Sequence, residues 1–350
     1  MDTVNTAGRD AGTVCWEENR VKKSLYVFNN GEFRRKDNTL YFESEKGRKY
    51  VPVEDTKEIY IFGEVELNKK FLDFCSQKEI LLHFFNYHGY YTGSFYPREH
   101  LNAGFVTVQQ VKYYIDERKR LSLAGHFVTG AAKNMLQVLR YYLNRGKDVA
   151  TIKERVASLL SKVGFLGDIT QLMALEGNMR EQYYQAFDSI LQNEQFRFES
   201  RTKRPPKNHL NTLISFGNSV LYTMILSEIY KTHLDPRIGY LHTTNFRRFT
   251  LNLDVAEIFK PIIMDRLIFT LIGKKMITPK HFERGLNGVM LKENGKKVFI
   301  AELDKRLQNT IKHRSLGRSV SYRRLMRLEL YKLEKLFVEG IAYQPFVARW

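Results

Sequence analysis

Cysteine is nearly absent from this chain of 350 residues, which holds only Cys15 and Cys75. Two cysteines exclude a disulfide-built scaffold and any cysteine-rich zinc cluster. Cys75 falls on the apolar side of a short amphipathic segment, which predicts a small buried side chain and not a nucleophile. Cys15 falls in a polar stretch without periodicity.

Long hydrophobic runs are missing as well. No stretch reaches the length of about 18 apolar residues that a membrane span needs. The N-terminus has no basic segment followed by an apolar one, so we expect no secretory signal. With 43% hydrophobic residues the chain can still bury a substantial core. We expect a soluble globular protein of a reducing compartment such as the cytoplasm.

Several catalytic signatures are also absent, namely the P-loop, the dinucleotide-binding glycine pattern and the GxSxG elbow. Acidic residues are few. The 38 Asp and Glu stand against 56 Lys and Arg, which gives a formal net charge of +18. A basic surface of this size favours a polyanionic partner, because each cation near a phosphate releases condensed counterions. The alternative is that the charge only maintains solubility.

The first hundred residues show β-type patterns. Residues 1–20 predict a disordered lead-in, or an upstream extension if translation starts at a GTG codon for Val21. Strands are predicted at 24–28, 39–42, 49–53, 58–62 and 80–85, with a short helix at 68–77 and an aromatic strand or loop at 90–96. The pattern ends at Pro97, so residues 21–97 are predicted to form a small β-rich domain.

From residue 101 the period becomes helical. Helices are predicted at 106–124, 128–144, 151–163, from 169 onward, and at 210–231, 254–272, 305–312 and 322–339. A kink is expected at Pro261 and a small hairpin around residues 293–295. Residues 98–350 are therefore predicted to form a larger helical domain, which makes the fold class α+β.

One acid stands out on a mostly apolar helical segment. Glu176 is followed at once by Gly177, which permits close approach of a backbone or ligand. The structural alternative is a surface ion pair between Glu176 and Arg180, four residues on. His242 lies in a polar, loop-like stretch, where a lone histidine is usually a satisfied structural group.

Two further acids, Asp254 and Glu257, are three residues apart at a predicted helix start. They resemble a capping box, in which Asp254 would be the N-cap and Glu257 its partner. A phosphodiester enzyme needs two or three hard oxygen ligands for Mg²⁺ or Mn²⁺, and a histidine favours Mn²⁺. Glu176, His242 and Glu257 would make such a set if their helices converge.

Motifs along the chain resemble the CRISPR-associated integrase of spacer acquisition, the first-numbered and near-universal Cas protein, in its type I-B-like form. They include KKSLYVFNNGEFRRKDNTLYFE at 22–43, VPVEDTKEIYIFGEVELN at 51–68 and ILLHFFNYHGYYTGSFYPRE at 80–99. Others are ALEGNMREQYY at 174–184, LISFGNSVLYT at 213–223, DPRIGYLHTTN at 235–245 and LDVAEIFKPIIMDRL at 253–267. The C-terminal segment from RSVSYRRLMRL to the end also fits. The resemblance does not cover residues 1–20.

This resemblance implies a β-sandwich-like N-terminal domain joined to an all-α catalytic domain. It implies a metal site made by Glu176, His242 and a third acid in the DVAEIFKP segment. The subfamily pattern favours Glu257 for that third position, with Asp254 as a neighbour or an alternative ligand.

The implied activity is that of a divalent-metal-dependent DNA endonuclease and integrase. Such enzymes join 3′-hydroxyl ends of a prespacer DNA to a CRISPR repeat by transesterification, with Mg²⁺ or Mn²⁺. The resemblance also implies homodimers, formed through the β-rich domain, that a dimer of the small partner Cas protein bridges into a heterohexamer. Two alternatives stay open: a homologue that only binds DNA, and a stand-alone structure-specific nuclease or transposon-type integrase.

The basic excess can be assigned to particular segments. Residues 301–350 hold eleven Lys or Arg and five Asp or Glu. A second cluster lies in the loop 197–207, and two arginines follow His242. The candidate phosphate contacts, each of which has an ordinary solvated face as its alternative, are Arg201, Lys203, Arg204, Arg247, Arg248, Arg314, Arg318, Arg323, Arg324 and Arg327.

Overall fold

The computed structural model describes residues 22–98, 101, 103–242, 249–285, 288–313 and 316–349. Strands dominate as far as Phe95, and helices dominate from Gly104 onward. This order confirms the α+β class. The predicted division near Pro97 falls between the two regions. Residues 1–20, for which the sequence predicts disorder, lie outside the described residues.

The N-terminal region forms two four-stranded sheets. Its strands are β1 (Lys23–Val27), β2 (Gly31–Lys36), β3 (Thr39–Ser44), β4 (Gly47–Val51), β5 (Thr56–Ile61), β6 (Val65–Leu67), β7 (Leu81–Phe85) and β8 (Tyr91–Phe95). The first sheet has the order β1-β5-β7-β8, in which β1, β5 and β7 are parallel. The second has the order β4-β3-β2-β6.

The sequence analysis missed two of these strands. β2 has the sequence GEFRRK, whose charges hide the one fully buried side chain, Phe33. β6 has only three residues. The helix α1 (Lys69–Gln77) was predicted correctly and begins at the N-cap Asn68, whose side chain accepts from the backbone N–H of Phe71 at 3.0 Å.

Strand β5 joins the two regions because its faces pack against different cores. Ile59 and Ile61 contribute to a core shared with α1 and the second sheet. Tyr60 and Phe62 point the other way and belong to the core of the helical region. This alternation is the two-residue period of a strand buried on both faces.

The helices of the second region begin and end at other residues than predicted. Its helices are α2 (Gly104–Ile115), α3 (Glu117–Leu143), α4 (Ala150–Leu160), α5 (Ile169–Leu191), α6 (His209–Ile229), α7 (Leu251–Phe259), α8 (Arg266–Gly273), α9 (Glu293–Gln308) and α10 (Tyr322–Glu339). The first break falls at Asp116, the N-cap of α3, and not near residue 126 as predicted. No helix within the described ranges is long and apolar enough to span a membrane.

The family resemblance implied an all-α region, but this region also contains short strands. Two small hairpins pair β9 (Phe282–Arg284) with β10 (Val289–Leu291), and β11 (Thr310–His313) with β12 (Arg318–Ser321). The hairpin predicted around residues 293–295 is wrong, because α9 begins at Glu293. The helix predicted at 305–312 is the end of α9 followed by β11.

The segment after α7 departs from regular helix at the predicted proline. Residues Lys260–Asp265 form a π-helical turn with Pro261 near its start, and α8 follows without a gap. Proline has no N–H to donate to the preceding turn, so a local widening accommodates it.

Candidate active site

Glu176 lies in the second turn of α5 and is largely enclosed. The helix is fixed at its start by Asp168, whose side chain accepts from the N–H of Gln171 at 2.8 Å. The Glu176 side chain is 18% exposed, and its Oε1 lies 3.5 Å from Nε of Arg180. Gly177 faces open space. The ion pair with Arg180 therefore exists, but it is part of a buried cluster and not of a solvated surface.

Glu257 belongs to the same cluster although it comes from a different helix. Its side chain is 5% exposed, and its Oε2 accepts from Nη2 of Arg180 at 2.6 Å. Its Oε1 accepts from Nζ of Lys260. Arg180 therefore bridges Glu176 and Glu257, so α5 and α7 converge at one point, as the metal-site prediction required.

The two carboxylates have opposite pKa shifts. Burial and the neighbouring Glu257 raise the pKa of Glu176. Burial would also raise the pKa of Glu257, but Lys260 and Arg180 lower it to about 2. Glu257 is therefore the firmly ionised member, since both cations contact it directly.

His242 lies within electrostatic range of Glu176 and Glu257 and is held by Asp254. Its Nδ1 is 2.7 Å from Oδ1 of Asp254, and its own backbone N–H donates to the same oxygen at 3.0 Å. Burial lowers the pKa of His242, but the hydrogen bond to Asp254 and the negative charges of Asp254 and Glu257 together outweigh it, so the net pKa is raised. A carboxylate only accepts, so Nδ1 carries the proton and Nε2 is the nitrogen suited to coordinate a metal.

Asp254 has no free oxygen to act as a ligand. It is fully buried, and its Oδ2 accepts from the N–H groups of Tyr240 and Leu241 at 2.6 and 3.1 Å. The capping-box interpretation is wrong, because α7 begins at Leu251 and Asp254 is already inside it. Asp254 orders the loop that carries His242.

A further acid, which was not predicted, lies within electrostatic range of Arg180. Asp265, at the end of the π-helical turn, is buried, and burial raises its pKa to about 7 although Arg180 opposes this. Among the described residues near this site, Oδ2 of Asp265 and Nη1 of Arg180 are buried polar atoms without a hydrogen-bond partner. Polar atoms left over in one region suit a bridging water.

The residue types of the site fit a divalent metal, but two cations lie against one of its carboxylates. Two carboxylates and an imidazole are ligands that Mn²⁺ and Mg²⁺ accept in this combination. Yet among the described residues no group of three His, Cys, Asp or Glu could hold a metal ion as they stand. Arg180 and Lys260 both pair with the Glu257 carboxylate.

The basic loop before α6 contributes cations near this site. Lys203 and Arg204 are exposed. Burial, Arg201 and Lys260 lower the pKa of Lys203, and Glu176 and Glu257 oppose the shift, so this lysine lies within electrostatic range of the carboxylates. Arg201 is engaged with the protein itself, donating to the side chains of Asn211 and Ser215 at 3.0 and 2.9 Å.

Two arginines predicted to contact phosphate are placed elsewhere. Arg323 is nearly buried, and its guanidinium donates to Glu58 of β5 at 2.6 Å and to Glu228 of α6 at 2.7 Å. Arg327 donates to the other oxygen of Glu228 at 2.7 Å. The prediction for Arg323 is corrected, because its donors bind carboxylates between the two regions. Arg327 shares this cluster, with part of its side chain exposed.

The remaining predicted phosphate contacts divide into two groups. Arg318 and Arg324 are exposed, and Arg324 lies over the ring of Tyr331 at 5.8 Å. Three others, Arg247, Arg248 and Arg314, lie outside the described residues.

The sequence reasoning missed the cations that organise the site. Arg180 was recognised only as a surface partner of Glu176. The signal that was present is spacing, since Arg180 follows Glu176 by four residues and Lys260 follows Glu257 by three. For Asp265 no sequence signal was available, because it is far from Arg180 in the sequence.

Comparison with known proteins gives consistent matches over most of the chain. The family model described as CRISPR associated protein Cas1 matches residues 25–305. The CRISPR-associated endonuclease Cas1 2 of Thermodesulfovibrio yellowstonii is 58% identical over 330 residues, covering 94% of this chain and 100% of the relative. The CRISPR-associated endonuclease Cas1 of Thermotoga maritima is 49% identical, covering 89% of this chain and 96% of the relative.

Solved structures give the same picture. The structure of a CAS1 protein from Thermotoga maritima superposes with a TM-score of 0.83 at 47% identity, covering 94% of this chain and 100% of the other. A casposase bound to integration product has the same TM-score at 19% identity, covering 93% of each chain. At that identity the second likeness shows the fold alone.

Proposed function

Because the chain belongs to the CRISPR-associated Cas1 family, we propose that it is a divalent-metal-dependent DNA endonuclease and integrase of spacer acquisition. The relatives from Thermodesulfovibrio yellowstonii and Thermotoga maritima carry the name endonuclease. A Cas6-RT-Cas1–Cas2 complex and a casposase bound to integration product share its fold. The proposed reaction is attack of a DNA 3′-hydroxyl on a phosphodiester of a CRISPR repeat.

One observation carries the proposal. Arg180 holds Glu176 of α5 and Glu257 of α7 at one point, beside the histidine that Asp254 orients. The three predicted ligands are far apart in the sequence, and a protein that only binds DNA has no need of this assembly. Glu176, Glu257 and Nε2 of His242 would hold the metal.

The side chains of this chain would divide the work of the reaction. Asp254 keeps the proton of His242 on Nδ1 and so presents Nε2. Lys203 and Arg204 offer cations for the phosphates that flank the reacting bond. A bound Mg²⁺ or Mn²⁺ would supply charge neutralisation at the phosphate and a lowered pKa for the attacking hydroxyl. Transesterification conserves the number of phosphodiester bonds, so the reaction needs no nucleotide cofactor.

We infer partners of the same kind as those in the related complexes. Double-stranded DNA, as prespacer and repeat, is the proposed substrate, and the small partner Cas protein is proposed to bridge homodimers of this chain into a heterohexamer. A homodimer interface on the β-rich region is part of the proposal.

A strand-transfer assay tests the function. The protein, its candidate partner, a short duplex with free 3′-hydroxyls and a plasmid that carries the repeat are incubated with Mg²⁺, Mn²⁺ or EDTA. We expect joined product with either metal and none with EDTA. Product without the partner, at any sequence, would instead favour a transposon-type integrase. Absence of joining and of cleavage under every condition would refute the proposal.

A further inference from the structure

The Glu257 carboxylate is enclosed by two cations with different freedom to move. Arg180 is buried, contacts both acids and lies within electrostatic range of Asp265. Lys260 contacts only the Oε1 side of Glu257, and its Nζ lies 4.9 Å from the centre of the Tyr222 ring. A lysine has a flexible stem and a single charged group, so it can leave more readily than a guanidinium that bridges two acids.

The charges of this cluster cancel. Glu176 and Glu257 carry two negative charges when ionised, and Arg180 and Lys260 carry two positive ones. Buried carboxylates need such partners, because an unpaired charge in a dry site is costly. A cluster that sums to zero, however, gives no net attraction to a dication. Metal binding to Glu257 therefore requires one cation to withdraw.

We propose that Lys260 is a built-in counter-cation that holds Glu257 in place before metal binds and competes with the metal for it. This inference rests on the proposed function, since it concerns the same site. Lys260 is a positioning residue that fixes the Glu257 side chain, whereas Arg180 holds α5 and α7 together. When a divalent ion takes Glu257, the ammonium moves off the carboxylate while Arg180 stays.

Binding of Mn²⁺ alone, without DNA, tests the proposal by calorimetry. Lys260→Met removes the competing charge and approximately keeps the length of the side chain. We expect its affinity for Mn²⁺ to rise about tenfold, the effect that removing one nearby charge typically has on a charged group. The matched control is Lys297→Met, which breaks an exposed ion pair with Glu293 and should leave the affinity unchanged.

A thermal measurement gives a second readout. Without metal, the Lys260→Met protein should melt below the wild type, because Glu257 has lost a partner. Saturating Mn²⁺ should raise its melting temperature by more than it raises that of the wild type. Lys260→Gln, which is also neutral but can donate a hydrogen bond, replaces the methionine variant if that does not fold.

The outcomes separate this inference from the function. If Lys260→Met and Lys260→Gln bind Mn²⁺ no more tightly than the wild type, while His242→Ala binds it more weakly, the metal site stands and the counter-cation role is refuted. If neither the wild type nor any variant binds Mn²⁺, the proposed metal site fails and the counter-cation role fails with it.

Discussion

Nδ1 of His242 lies 2.7 Å from Oδ1 of Asp254, and this carboxylate also accepts from three consecutive backbone N–H groups. The contact bears on a question that the sequence left open. Asp254 and Glu257 were both eligible as the third ligand. The oxygens of Asp254 accept from fixed backbone N–H groups and the imidazole, whereas those of Glu257 pair only with side-chain cations, so Glu257 is the proposed third ligand and Asp254 orients the histidine.

Asp254→Asn should uncouple His242 from the site. The new amide group presents N–H donors to backbone N–H groups, so the loop and the imidazole lose their fixed orientation. Loss of such a supporting group typically costs about 10–100-fold in metal affinity or activity. We expect a loss of this size in Mn²⁺ affinity, measured by calorimetry, and in strand transfer.

Asp235→Asn is the matched control for this experiment. Asp235 also accepts from a backbone N–H in the same stretch, that of Arg237, but does not contact His242. An Asp254→Asn protein that keeps wild-type Mn²⁺ affinity would show that the histidine needs no such support.

The loop before α6 should contribute phosphate contacts. Lys203→Ala and Arg204→Ala are each expected to lower the slope of log affinity against log salt by about one, with little effect on sequence preference. The measurement is duplex binding by fluorescence anisotropy over a range of salt concentrations. Arg323→Lys keeps a cation in the buried cluster and should leave the slope unchanged. A slope that falls for Arg323→Lys but not for Lys203→Ala would reverse the assignment.

Glu58, Glu228, Arg323 and Arg327 form an ion cluster between the two regions. This cluster should stabilise the protein only above acidic pH. Burial raises the pKa of Glu228, but Lys231, Arg323 and Arg327 lower it from 4.5 to about 2. A native pKa below the unfolded one stabilises at high pH, and this contribution of about 3 kcal/mol is lost as pH falls from about 5 to about 2.

Glu228→Gln tests this dependence. Its destabilisation relative to the wild type, measured by urea unfolding, should be large at pH 7 and should shrink at pH 3. Glu293→Gln, which removes an exposed ion pair, should show a small effect at both values. A destabilisation by Glu228→Gln that is equal at pH 7 and pH 3 would contradict the lowered pKa.

The order of elements could be predicted from sequence because hydrophobic periodicity differs between strands and helices. β5 ends in the apolar run Ile59–Ile61, β7 is apolar except for His83, and α10 has a clear amphipathic stripe. The failures have local causes. In β2 the charges outnumber the apolar residues, and the segment ENG at 293–295 has turn-forming composition although α9 begins there.

The residues of the proposed site could be predicted from the sequence, but the contacts between them could not. Glu176, His242 and Glu257 came from motif resemblance. The links that explain their arrangement, through Arg180, Lys260 and Asp254, are contacts between segments distant in the sequence or depend on a π-helical turn. The same limit explains Arg323. It lies in a basic segment of the kind that contacts DNA, and yet it pairs with Glu58, 265 residues away.

The central claim is that Glu176, His242 and Glu257 form one centre that joins DNA ends. Its most direct test is strand transfer by Glu176→Gln, His242→Ala and Glu257→Gln, with duplex binding measured on the same preparations. The account predicts that each variant loses joined product in both Mg²⁺ and Mn²⁺ while it binds the duplex nearly as well as the wild type. Joined product at the wild-type level from any of the three would contradict it.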